Sequence, residues 1–250
     1  MVEIFQLILL FIFGIIAGII NVNAGGGSTL TLPMLLFLGL DGAVANGTNR
    51  IAILFQNTSA VLSFKNQNHS QFKLSFKLAL FTLPGAILGA YSAIRISNDL
   101  FEKILAVIMI GVIVTMLLPK KSVETVSELT KKQNFYVYLA MFGVGFYGGF
   151  IQVGVGFLLM ASLHYLMKQS LVFVNMHKVF IVLIYTIPAL LIFILSNNVN
   201  WGFGFILAAG NMIGAWWGAK FSVKGGDKVI KIILIIAISI MSLKLFGAFG

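Results

Sequence analysis

Long apolar runs alternate with short polar interruptions from one end of the chain to the other. The pattern predicts apolar arms at 4–20 and 29–40 followed by helices near 44–64, 72–94 and 100–118. It then predicts arms at 135–150 and 157–167 and helices near 171–195, 201–222 and 228–246. Most runs approach or exceed the ~18 apolar residues that a membrane-crossing helix needs. The first interruption is the least helical stretch of all, NVNAGGGSTLTLP from Asn21 to Pro33. Ser28 and Thr29 are the expected N-caps of the short arm that follows it. The one sizeable polar segment, 119–133, is expected to be a cytoplasmic linker.

Displacing the sequence by 129 residues brings one half onto the other. Phe13-Gly14 meets Phe142-Gly143, and Asn23-x-Gly25-x-Gly27 meets Gln152-x-Gly154-x-Gly156. Asn46 meets Asn175, Asn49 meets Lys178, and Gly85-Ala86-x-x-Gly89-Ala90 meets Gly214-Ala215-x-x-Gly218-Ala219. The expectation is an all-α polytopic membrane protein forming one transport domain, 1–250, with repeat one at 1–118 and repeat two at 134–250. Each repeat would hold a glycine-broken helical hairpin and three spanning helices. A hairpin that crosses twice or re-enters contributes an even number of crossings, so each repeat is odd and the second copy is inverted. Lysines and arginines test the topology. With both termini outside, twelve basic residues fall in cytoplasmic segments and three in outer ones.

Composition narrows the chemistry. Hydrophobic residues make up 59% of the chain and charged ones 10%, against ~25% charged in ordinary soluble domains. The net charge of +10 sits at the ends of apolar runs, which fits membrane topology and not nucleic acid. There is no cysteine, so disulfides, thiolate metal sites and cysteine nucleophiles are excluded. The first residues carry Glu3 and no basic residue, the wrong sign for a cleaved signal peptide.

Two cations lie deep in the predicted helices. Arg50 follows Asp41 by nine residues and Lys178 follows Gln169 by nine, which places each ~13 Å along its helix, near the middle of a ~30 Å core. Both stand by aligned asparagines, in Asn46-Gly47-Thr48-Asn49-Arg50 and Asn175-Met176-His177-Lys178. Snorkelling to the headgroups is the plain alternative, but it would not call for the asparagines. Every acidic residue lies at a helix end or in a loop, so an anionic substrate is the expected counter-charge. The breaks suit the same site, because a helix restarting after glycine presents unpaired N–H groups at its positive end. The expected binding residues are Asn23, Gly25, Gly26, Gly27, Ser28, Asn46, Thr48, Asn49, Arg50, Gln152, Gly154, Gly156, Asn175, His177 and Lys178. Gln56, Asn57 and Tyr185 either extend this polar lining or make structural bonds between helices.

The break Asn23-Ala-Gly-Gly-Gly-Ser, the short L-x-L-P segment after it, the Gly-Thr-Asn that opens the next helix and the second break at Gln152-x-Gly-x-Gly carry a resemblance. The chain resembles the sulfite exporter TauE/SafE family, also called the 4-toluene sulfonate uptake permease family, over essentially its whole length. The resemblance implies a multi-pass carrier of the bacterial cytoplasmic membrane for small oxyanions such as sulfite and sulfonates. Arg50 stands where the family commonly has an uncharged residue, and it and Lys178 are expected to tune the substrate.

The expected mechanism is alternating access around one anion, with His177 as the candidate for proton coupling. An anion channel could use the same lining. A membrane-embedded enzyme is disfavoured, with no thiol, carboxylate pair or metal-ligand cluster in the spans; no catalytic residue, metal or cofactor is expected. The expected partners are the small anionic substrate and membrane lipid, with no nucleic acid; the sequence leaves a homodimer open.

Overall fold

The computed structural model describes residues 4–69, 71–117, 131–167 and 170–245, and their side chains except at 112–117, 131–134, 165–167 and 226–245. Most of the expected linker, together with Lys168 and Gln169, lies outside the described residues. Every regular element among the described residues is a helix. In the first half these are α1 (Ile4–Asn23), α2 (Ser28–Phe37), α3 (Gly42–Asn66), α4 (Phe72–Ala93) and α5 (Asn98–Leu117). In the second they are α6 (Lys131–Phe150), α7 (Val155–Met167), α8 (Leu171–Leu195) and α9 (Trp201–Leu245). Three of them, α1, α4 and α8, are long and apolar enough to cross a membrane.

Two expectations need correction. The helices awaited at 201–222 and 228–246 are one helix of 45 residues, ~67 Å long. Gly225-Gly226 permits a turn there but does not compel one, and the backbone stays helical through it. Nor do Ser28 and Thr29 cap α2. The cap position is Gly27, which has no side chain to cap with, and the Thr29 hydroxyl turns back to donate to the Gly26 carbonyl at 2.5 Å.

The short arms fold back. With 10 residues α2 is ~15 Å long, and α7 with 13 is ~20 Å, both short of a ~30 Å core. Leu10 of α1 shares an apolar cluster with Leu32 and Leu35 of α2. Val137 and Met141 of α6 likewise share one with Leu159 and Leu163 of α7.

The long helices exchange partners between halves. α1 packs along α9, where a Cβ on Gly18 would lie 2.5 Å from the Asn211 carbonyl oxygen. α6 packs along α4, where a Cβ on Gly85 would overlap the Phe142 carbonyl. These are the small-residue seams that let membrane helices approach closely. α3 and α8 run through the interior. α3 buries Asn46, Thr48, Asn49, Arg50, Gln56 and Asn57, while Ile8, Ile12 and Ile16 of α1 and Leu80, Ile87 and Leu88 of α4 face outward. The outward faces of these helices are apolar, as contact with lipid requires, and the largely apolar interior encloses a cluster of buried polar residues on α3 and α8.

Candidate functional site

The two breaks touch. Gly25 has φ +85° and Gly154, 129 positions later, φ +73°, a left-handed conformation that glycine takes without steric penalty. A Cβ on Gly25 would run into the backbone of Gly156, and one on Gly156 into that of Gly25. The first turn is tied by the Gly27 N–H, which donates to Asn21 Oδ1 at 3.3 Å.

Each break ends a helix, and a helix end leaves its last carbonyls without partners and carries a partial negative charge. Here the Asn21 carbonyl accepts from the Gly25 N–H at 2.9 Å, and the further partners come from the other half of the chain. At the end of α6, Arg50 donates through Nη1 to the Gly148 carbonyl at 3.0 Å and through Nη2 to the Gly149 carbonyl at 2.5 Å. Asn46 Nδ2 takes the next one, Phe150, at 2.8 Å. At the end of α1, Lys178 Nζ donates to the Asn21 carbonyl at 3.0 Å and the Val22 carbonyl at 2.7 Å. Asn175 Nδ2 reaches the next one, Asn23, at 3.5 Å. So one cation and one asparagine from α3, and another such pair from α8, each close three successive carbonyls. Spacings of four and three residues put each pair on one helix face.

The site is buried and positive. Arg50 is 0% exposed and Lys178 2%, and among the described residues the one ion pair is the exposed Lys103–Asp99. The negative partner that the sequence leaves missing is therefore supplied here by helix ends. The two cations differ in what they have left to give. An ammonium has three N–H donors, and Lys178 spends its third on Asn175 Oδ1 at 2.9 Å. Arg50 also reaches Gln152 Oε1 at 3.3 Å and Asn46 Oδ1 at 3.5 Å and lies over the Phe193 ring, yet its Nε has no partner. The adjacent Asn49 Nδ2 is likewise buried and unpartnered, its Oδ1 accepting from the Thr31 hydroxyl at 2.7 Å.

Most of the expected residues meet at this crossing. Asn23 donates to the Ile19 and Gly218 carbonyls at 2.9 and 3.0 Å. Gln152 Nε2 donates to the Tyr185 hydroxyl at 2.9 Å. Gly26 lies against the Phe157 ring and Gly27 against the Ala17 carbonyl, and Ser28 is buried as the first residue of α2. Two residues point elsewhere. The Thr48 hydroxyl accepts from the Asn200 N–H at 2.8 Å, in the loop between α8 and α9. His177 Nδ1 pairs with the Ser75 hydroxyl of α4 at 2.8 Å.

Sequence reasoning missed the carbonyls of Gly148, Gly149, Asn21 and Val22, and Ser222, whose hydroxyl accepts from Asn175 Nδ2 at 3.3 Å. Main-chain acceptors leave no residue-type signal; the double glycine just before the second break was the available hint. A cavity of about 510 Å³, lined by Gln71, Phe72, Lys73, Leu74 and Lys77, lies at the start of α4 and touches none of the crossing residues.

Comparison with known proteins is consistent along the chain. The family model described as sulfite exporter TauE/SafE matches residues 10–245. The chain is 29% identical over 239 residues to the probable membrane transporter protein ORF9 of Sinorhizobium sp, covering 95% of this chain and 91% of that protein. It is 29% identical over 239 residues to the probable membrane transporter protein YfcA of Escherichia coli K12, covering 94% and 88%. A probable membrane transporter protein of Haemophilus influenzae is 26% identical over 240 residues, covering 96% and 94%. No solved structure matches.

Proposed function

This chain belongs to the sulfite exporter TauE/SafE family, and on that premise we propose that this membrane transporter carries a small anion, a sulfite, sulfonate or related oxyanion, by alternating access. The observation that carries the reading is Arg50: a fully buried cation with an unspent N–H, beside an unspent Asn49 Nδ2 and, among the described residues, with no carboxylate paired to it. Buried unspent donors around a positive charge suit a ligand rich in acceptors.

The two halves act as inverted repeats with re-entrant hairpins, and they part along the seam where the breaks touch. As they part, substrate oxygens replace the helix-end carbonyls on Arg50 and neighbouring donors. The crossing is fully buried, so access from either side needs that movement. The chain sits in the cytoplasmic membrane of a bacterium with its N-terminus outside, as its lysine distribution favours; with α9 one continuous helix, the third span of repeat two, which would carry the C-terminus outside, falls away.

The test is uptake of sulfite and of a small sulfonate into proteoliposomes by the wild type and by Arg50→Ala and Lys178→Ala, with thermal unfolding as a check on folding. Both variants should lose saturable uptake, Arg50→Ala with weaker apparent affinity. Unchanged rate and affinity in both would overturn the anion site.

A further inference from the structure

The oxygens around Lys178 form a cage that also suits a free ion. Its ammonium lies 3.0 Å from the Asn21 carbonyl, 2.7 Å from the Val22 carbonyl and 2.9 Å from Asn175 Oδ1. All three oxygens are neutral, and two sit at the negative end of a helix that stops inside the fold. A fourth oxygen is close in sequence: Asn23 Oδ1 is buried and has no hydrogen-bond partner. Carbonyls freed where a membrane helix is interrupted are the groups that bind monovalent ions in broken-helix transporters. A cage without a carboxylate is poor for a divalent ion, which takes hard anionic oxygens. It suits a monovalent one, since an ammonium and a potassium ion carry the same charge, are close in size and are both satisfied by carbonyl oxygens.

We propose that the end of α1 is a monovalent-cation site whose occupant in this chain is the tethered ammonium of Lys178, and that replacing the lysine with a neutral residue turns it into a site for free potassium or sodium. The end of α6 is filled in the same manner by the guanidinium of Arg50, shared between the Gly148 and Gly149 carbonyls. Carrying its cations covalently, the native chain needs no alkali ion to hold its breaks together. The inference stands apart from the anion reading, because it concerns the stability of the fold and not flux.

Thermal unfolding of the purified protein in potassium, sodium and choline chloride at equal ionic strength tests it. The wild type should melt at the same temperature in all three. Lys178→Met should melt about 5 °C or more lower in choline than in the better alkali salt, with a saturable response to that ion. The double variant Lys178→Met/Asn175→Leu, which removes a cage oxygen, should respond much less. A Lys178→Met protein equally stable in choline and alkali salts overturns the proposal. So does a double variant that keeps the full response, since the ion then binds elsewhere. Lys178→Leu, which likewise brings no donor to the cage, is the second variant, with the same expectation. Failure of both single variants to fold in every salt also contradicts the proposal, because potassium should replace the missing charge.

Discussion

Three glycines separate the cost of a left-handed backbone from the cost of the contact between the breaks. Gly39 has φ +86° and a Cβ there would meet nothing within 4 Å. Gly25 has nearly the same torsion, φ +85°, but its Cβ would strike the Gly156 backbone. Gly156 is absent from the left-handed positions, and a Cβ there would strike Gly25. Alanine at Gly39 carries only the torsional cost, about 1–2 kcal/mol. Alanine at Gly156 carries only the overpacking cost, about 1–3 kcal/mol, and alanine at Gly25 carries both. At roughly 2–4 °C per kcal/mol, Gly39→Ala should melt a few degrees below the wild type and Gly25→Ala about 10 °C below. Intrinsic tryptophan fluorescence during heating in detergent reads the order, since Trp201, Trp216 and Trp217 all lie on α9, against which α1 packs. Gly25→Ala and Gly39→Ala melting together would refute the contact between the breaks.

Charge and packing give three further expectations. Gln152→Glu places a carboxylate where Oε1 now accepts from Arg50 at 3.3 Å; it should keep or raise the melting temperature while lowering anion uptake at least tenfold, and normal uptake would contradict the anion reading. Arg50→Lys keeps the charge, but its single nitrogen cannot reproduce the fork across Gly148, Gly149 and Gln152. It should destabilise by about 1–3 kcal/mol, read as a lower melting temperature and weaker apparent substrate affinity. In α6, Gly143→Ala meets nothing within 4 Å and should be neutral or stabilising by up to about 1 kcal/mol. Gly145→Ala, whose Cβ would overlap the Thr82 carbonyl, should be clearly destabilising in the same melting assay.

What the sequence disclosed was whatever side chains and glycines encode. The displacement of 129 residues marked both breaks, and Gly25 and Gly154, which it aligned, share a left-handed backbone. The pairs Asn46 with Arg50 and Asn175 with Lys178 were visible because polar residues inside apolar runs are conspicuous. Their partners were not visible, because a carbonyl of Gly148 or Val22 looks like any other carbonyl in a sequence. Ser28 and Thr29 misled for a related reason: a hydroxyl at a helix start is a good cap only if it faces forward, and Thr29 bonds back to Gly26. Thr48 and His177 joined the candidates by sequence proximity to Arg50 and Lys178. Helix geometry turns them toward Asn200 and Ser75 instead.

The lack of a buried acid at the described crossing changes what the two cations can do. A carboxylate beside Arg50 would cancel its charge and satisfy its fork bidentately, leaving little attraction for an anion. A helix end provides only about half a negative charge. Arg50 of α3, at the end of α6, and Lys178 of α8, at the end of α1, are therefore each held by hydrogen bonds while about half of each positive charge stays uncompensated. Breaking the helices at Gly25 and Gly154 supplies those ends at the place where the halves meet. The glycines that bend the chain and the cations that cross it are thus one device. It binds the halves to each other through main-chain oxygens, which no side-chain substitution removes, and keeps at their contact the positive charge on which the proposed anion carriage rests.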